Sequence, residues 1–467
     1  MTDGLHDLAA QVWALAGGAP QAAGGLTVSG PRVFLPSAFD VTGLATATVG
    51  AATLAAAWYH AARNSAAVAA ARVDSRAACA AFAAEALFTP AGWSLPDIWD
   101  PVAGNYRASD GWIRLHTNYA SHRAAVTGLL KAEDRDAVRA AVARWKAADL
   151  EAAVVAAGGC AAVMHDRDGW LASVPGAASA GAPALAVTER PLPAASGSAA
   201  GDTAARGQGP AGLPYAGVRV LDLTRVIAGP IGTRFLAAYG ADVLRLDPPG
   251  FAEVAALLPE TTAGKRTAAV DLRTPTGRAA FERLVAGADV LVTGLRADAL
   301  GRLGYDDAAL TALNPALIIA SHNAYGWDGP WRDRRGFDSL VQMSCGIAAA
   351  GGGDGPAPLP VQALDHATGY LLAAAVGRAL TARLTRGVAG RIRASLIGTA
   401  NLLWSLPRPA DPGDPPPRPR FDEVPLTDAR TAWGPARRVP VPGHISGIAQ
   451  ELRVEAGPLG RDKPVWG

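Results

Sequence analysis

The chain is poor in cysteine, lysine and charge, and each shortage excludes something. Cys79, Cys160 and Cys345 are the only cysteines in 467 residues. Three thiols so far apart make neither a disulfide scaffold nor a zinc site, and they fit a reducing cytoplasm. Charged residues make up 18% of the chain, and 43 basic side chains against 41 acidic ones leave a net charge of +2. So even a balance gives no bulk drive toward nucleic acid or an anionic membrane. No P-loop, H-E-x-x-H or G-x-S-x-G stretch occurs. The first twenty residues carry Asp3 and Asp7 and no basic cluster, which is unlike a signal peptide.

Half of the residues are hydrophobic, which excludes a disordered chain, and the length calls for two or more domains. Val41 to Ala62 holds no formal charge but is built from Ala, Thr and Gly rather than Leu, Ile and Phe. Its transfer energy is therefore weak, and it reads as a buried helix of a soluble protein rather than a membrane span.

Composition divides the chain into an N-terminal segment (1–30), an Ala-rich half (31–175), an Ala/Gly/Ser/Pro linker (176–214), a strand–helix alternating region (215–405) and a Pro-rich C-terminal segment (406–467) that ends in a polar tail. Within the Ala-rich half, residues 111–116 read as a strand after a turn, and the acids at 133–136 open a helix that runs through Ala148. In 215–405 strands are expected at 217–223, 241–246, 268–272, 290–292 and 317–320, with a helix over 229–239. The expected fold is α/β: a Rossmann-like, mostly parallel sheet domain plus a smaller α+β domain.

The first strand–turn–helix reads Ile227-Ala228-Gly229-Pro230-Ile231-Gly232, without the G-x-G-x-x-G spacing that brings backbone against a dinucleotide pyrophosphate, so NAD is not expected. Only four lysines occur, and Lys265 follows Gly264 just before an expected strand. A compact ammonium beside a flexible glycine suits a phosphate, and equally an ordinary solvated loop.

Five ordered stretches then carry a resemblance: GVRVLDLTRVIAGPIGTRFLAAYGADVLRLDPPG (217–250), GKRTAAVDLRTPTGR (264–278), ADVLVTGLRADALGRLGY (288–305), LNPALIIASHNAYGWDGPW (313–331) and ALDHATGY (363–370). Over about 190 residues the chain resembles the class III CoA-transferase family, which includes formyl-CoA transferase, carnitine CoA-transferase and α-methylacyl-CoA racemase. The resemblance implies a Rossmann-like domain that binds coenzyme A and a transfer of CoA from an acyl-CoA to a carboxylic acid, with the thioester as substrate and no metal or redox cofactor. It places the family's catalytic aspartate at Asp365, and CoA-binding basic residues at Lys265 and Arg296. A carboxylate can attack a thioester to give a mixed anhydride, and backbone N–H groups at a helix start can stabilise the oxyanion. The bland reading of Asp365 is a helix N-cap. Pro248 and Pro249 stand where the family often has a further basic residue.

Alternatives are a CoA-ester racemase or epimerase, and a non-catalytic CoA-binding subunit paired with a homologue. The racemase branch needs a histidine where this chain has Phe337, in Gly336-Phe337-Asp338, and phenylalanine cannot move a proton. His366, beside Asp365, points about 100° away along a helix. The small-domain pattern of the family lies before the Rossmann-like half here, around Asn105–Trp112 and 149–171, and residues 36–75 resemble a second copy of the aspartate helix. The expectation is a rearranged chain with one active aspartate, since Asp40 is one residue out of register. His116 and Asn118 are either strand-end polar residues or part of an acyl pocket. Family members form interlocked dimers, so a homodimer is a further expectation.

Overall fold

The structure, a computed structural model, describes residues 3–193, 212–409 and 419–467. Its centre is a seven-stranded sheet in the spatial order Lys265–Ala269, Asp242–Asp247, Arg219–Leu223, Val290–Thr293, Ile318–Asn323, Val388–Ser395, Leu185–Pro191. The first six run parallel and the last antiparallel. Numbered from Arg219–Leu223 along the chain, the parallel strands lie 3-2-1-4-5-6. That is the doubly wound order, with its switch point between Arg219–Leu223 and Val290–Thr293. The central strands Arg219–Leu223, Val290–Thr293 and Ile318–Asn323 are buried on both faces, as a sheet covered by helices requires.

Three helices build the main core beside this sheet. Ala228–Ala238 and Ala363–Arg386 touch through paired glycines: a Cβ on Gly232 would lie 2.6 Å from the Gly369 carbonyl oxygen. The glycines of the first turn therefore serve helix packing rather than a pyrophosphate. Val41–Asn64 packs on Ala363–Arg386 just as closely, with a Cβ on Gly377 meeting Ala55 at 3.0 Å. By length and composition Val41–Asn64 could cross a membrane, yet 94% of its most apolar window is buried inside the protein. Its small side chains are what allow three backbones to come together.

A separate antiparallel sheet, Gly104–Arg107, Trp112–Leu115 and Ala161–Val163, packs with its helices around its own core of Tyr106, Ile113, Leu115 and Leu150. Here the helix expected over 133–148 divides into Arg135–Val142 and Ala147–Ala156. Ser109 bonds to the Trp145 carbonyl and the Asp110 carboxylate accepts from the Ala147 amide, so a distant turn closes one helix and opens the next.

The expected linker is partly structured: Val174–Ser179 is helical and Leu185–Pro191 is the antiparallel edge strand. Its residues 194–211 lie outside the described residues, as do 410–418 of the Pro-rich segment. The expected polar tail forms instead the hairpin Thr427–Thr431 and Gly434–Arg438 beside Thr89–Pro90, and His444–Ile445 joins Leu26–Ser29 and Ala71–Asp74. Backbone pairing to strands far away in sequence decides both segments.

Candidate active site

Two adjoining chambers open at the carboxyl ends of the parallel strands, at the switch point where such folds bind ligands. One, of about 420 Å³, is lined from the first strand–helix turn (Arg225, Val226), from Gly294 and Arg296 after the fourth strand, from His322 and Asn323, and from Arg332 to Phe337. The other, of about 230 Å³, is lined by Phe82 to Ala86, Trp99, His116 and Asn118 of the N-terminal half together with Ile227, Ser339 and Gln362. Val226, Phe337 and Asp365 belong to both. A larger groove along the C-terminal hairpin shares no residue with either chamber.

Asp365 stands in the first turn of Ala363–Arg386, three residues after the N-cap position Gln362, so it does not cap the helix. It is 7% exposed, and no hydrogen bond or ion pair reaches its side chain among the described residues. Burial, then Asp338, then Glu85 push its pKa well above the ordinary carboxylate value. Asp338 is fully buried and faces the start of the same helix, its Oδ2 accepting from the Leu364 and Asp365 amides at 2.8 and 3.0 Å. Burial raises its pKa too, while those amides and Gln342 oppose the rise. Of the two acids, Asp338 has the donors that hold a negative charge and Asp365 has none, so the pair's proton rests on Asp365.

The same bonds correct one expectation. The amides of Ala363 and His366 bond to Val361 and Gln362, so no N–H of the helix start is left for an oxyanion.

Lys265 is the second correction. The strand begins at Lys265, three residues earlier than expected, which turns the side chain into the core at 0% exposure. Its Nζ donates to Asp222 at 3.0 Å and to the Pro230 carbonyl at 2.8 Å. Burial lowers its pKa to about 8, against the attraction of Asp222. Asp222 also accepts from Thr233 and from the Thr224 amide. Lys265 therefore braces the turn from below and does not reach a ligand.

Arg296 lies exposed on the wall of the larger chamber. The run Arg332, Arg334 and Arg335 joins it there, and Arg225 stacks on Phe251 with its guanidinium carbon 3.7 Å from the ring centre. Arg334 is committed to Glu151 and Trp331, while Arg332, paired with its neighbour Asp333 at 3.2 Å, and Arg335 are exposed beside Arg296. Three arginines in four positions before Gly336-Phe337-Asp338 were a visible signal in the sequence. Asp365 is the one acid among the described residues of this lining. His322, at the end of its strand, also lines it; burial lowers its pKa to about 4, so it is neutral near pH 7.

Both strand-end candidates line the smaller chamber. His116 stacks on Phe337 with ring centres 3.7 Å apart, and burial followed by Arg114 lowers its pKa to about 3. Asn118 holds the Ile98–Asp100 loop with both ends of its amide. His366 lines neither chamber; it is buried and bonds to Glu85 at 3.1 Å. Asp40 caps Val41–Asn64 and pairs with Arg32, so its carboxylate is occupied.

Val226 carries a feature that sequence could not show. It has φ of +64°, a left-handed conformation costly for a β-branched residue. The strained residue sits where the two chambers meet, as stored backbone strain often does at sites.

Residues 215–410 match the family model for CoA-transferase family III. Within that segment the chain is similar to CoA-transferase family III. The chain is 35% identical over 204 residues to succinate–glutarate CoA-transferase of Agrobacterium fabrum, covering 39% of this chain and 51% of the relative. Against formyl-CoA:oxalate CoA-transferase of Rhodopseudomonas palustris it is 33% identical over 202 residues, covering 40% and 47%. A crystal structure of a Mycobacterium tuberculosis protein is 32% identical, with a TM-score of 0.40 over 41% of this chain and 57% of that one. The chain thus spans about half the length of the curated relatives it matches. The family III segment supplies the whole seven-stranded sheet except its antiparallel edge strand.

Proposed function

We propose that the protein transfers CoA from an acyl-CoA to a free carboxylic acid, with Asp365 as the covalent carrier. The observation that carries this reading is the place of Asp365: a buried carboxyl without a hydrogen-bond or ion-pair partner among the described residues, where an arginine-rich chamber meets one whose described lining holds no arginine or lysine. The larger chamber suits the phosphates of CoA, with Arg296, Arg332 and Arg335 as the exposed cations. The acyl group then lies in the smaller one, and the thioester carbonyl comes to Asp365.

The Asp365 carboxylate attacks that carbonyl and expels CoA thiolate, forming an aspartyl–acyl anhydride. The thiolate attacks the aspartyl carbonyl, and the first acid leaves as its carboxylate. The acceptor carboxylate attacks the resulting aspartyl–CoA thioester and expels thiolate again. Thiolate attack on the acceptor's carbonyl then releases the new acyl-CoA and restores Asp365. Atoms and charge balance without an oxidant or a metal. A carboxylate held without donors is a strong nucleophile once ionised, which is the use of its raised pKa.

We also read the chain as rearranged. The succession helix, strand, helix occurs at 41–64, 71–74 and 75–81 and again at 363–386, 388–395 and 396–405, which supports a repeated unit. The test of function is chromatography of thioesters after incubation with acyl-CoA donors and free acids. New acyl-CoA is expected from the wild type and none from Asp365→Ala. Thioester binding without transfer, or solvent deuterium entering the α-position, would replace the reading with the scaffold or the racemase.

A further inference from the structure

We propose that the smaller chamber selects short acyl groups with no second charge, for donor and acceptor alike, and rejects dicarboxylates. The inference rests on the transferase reading and adds to it a class of acid.

The chamber's walls come from both halves of the chain, and its titratable lining consists of Asp365, Glu85 and His116. Among the described residues, neither lysine nor arginine lines it. Arg114, the cation next to this wall in sequence, lies over the Trp99 ring at 4.8 Å and bonds to Asn105, outside the lining. His116 is held neutral by burial and by Arg114, so it offers no positive charge near pH 7. Glu85 adds a carboxylate, 12% exposed, shared with His366 Nε2. The remaining wall is largely apolar, with Phe82, Ile98, Trp99, Ile227, Leu257 and Val361.

An alkyl chain entering this space sheds water onto apolar surface. A distal carboxylate entering it loses hydration, finds no cation and faces Glu85. Burying an unpaired charge in such surroundings is strongly unfavourable. The volume of 230 Å³, the room of roughly eight waters, accommodates a four-carbon chain. Relatives named for succinate, glutarate and oxalate act on dicarboxylates by their names, so this chamber separates the chain from them.

Butyryl-CoA and succinyl-CoA test this, because they have the same number of acyl carbons and differ at the distal group. With acetate as acceptor, kcat/KM is expected to favour butyryl-CoA by at least about 100-fold. Glu85→Gln keeps a hydrogen bond to His366 and removes the charge. Because Glu85 also raises the pKa of Asp365, both rates are free to move, and the expected effect is a roughly tenfold rise in the ratio of kcat/KM for succinyl-CoA to that for butyryl-CoA. Equal use of the two thioesters, a preference for succinyl-CoA, or turnover of long-chain thioesters alone would overturn the inference while leaving the transferase intact. A Glu85→Gln variant that leaves that ratio unchanged would overturn the part assigned to Glu85. No transfer from any thioester would instead defeat the transferase reading on which the inference rests. The wild-type comparison stands even where the variant fails to fold.

Discussion

Lys265 and Arg296 are both basic residues that the family resemblance places near CoA, and the structure buries the first and exposes the second. Replacing Lys265 by Met leaves Asp222 buried without its cation. Breaking one partner of a buried ion pair costs about 3–5 kcal/mol. Thr224 and Thr233 continue to donate to Asp222, which puts the expected loss near the lower end, about 3 kcal/mol. For a chain of this size that lowers Tm by about 3 °C. Arg296→Ala removes an exposed side chain, and surface changes usually stay within about 0.5 kcal/mol of neutral. On the proposed reading it removes instead a charge-assisted bond to phosphate, about 1.5–3 kcal/mol, so the Kd for CoA is expected to rise roughly 10- to 100-fold. Calorimetric melting and titration calorimetry with CoA on both variants read the two effects separately. An unchanged Tm in Lys265→Met with selective loss of CoA binding, and no effect of Arg296→Ala, would refute this division of roles.

The raised pKa of Asp365 makes stability depend on pH. Its folded value lies above the unfolded one, so its favourable contribution is complete below about pH 4 and turns into a penalty as pH rises and the folded state resists ionisation. Asp365→Asn is therefore expected to melt with the wild type at pH 4 and above it at pH 8, and a constant difference across that range would contradict the account. The wild-type rate is expected to climb with pH along a limb displaced above the ordinary carboxylate range, because the nucleophile must be ionised; a limb near pH 4 in kcat/KM would contradict it. Gly232→Ala places a methyl carbon 2.6 Å from the Gly369 carbonyl, one turn after Asp365. It is expected to cost about 2 kcal/mol by denaturant unfolding and to slow transfer, whereas a stable variant with full activity would show that this helix crossing does not set the Asp365 position.

Much of the fold could be read from local pattern. The alternation of apolar strands and helices after residue 215 predicts the parallel sheet, and charge-free, small residues over 41–62 predict the buried helix. Asp365 was legible through the ALDHATGY stretch alone. Features that depend on distant partners were not. A three-residue shift in a strand start moved Lys265 from loop to core. The C-terminal strands over 427–445 are held in part by pairing with strands hundreds of residues away, as the hairpin is with Thr89–Pro90. The free amides expected at the start of the Asp365 helix are taken by Asp338 and neighbouring carbonyls, contacts invisible to spacing.

The central claim is that Asp365 carries the group being moved. Intact-protein mass spectrometry after brief incubation with butyryl-CoA, without an acceptor acid, tests it most directly. The account predicts a covalent mass increase that hydroxylamine removes, localised to Asp365 by peptide mapping and absent from Asp365→Ala. An adduct on another residue, or transfer activity that survives in Asp365→Ala, would contradict it.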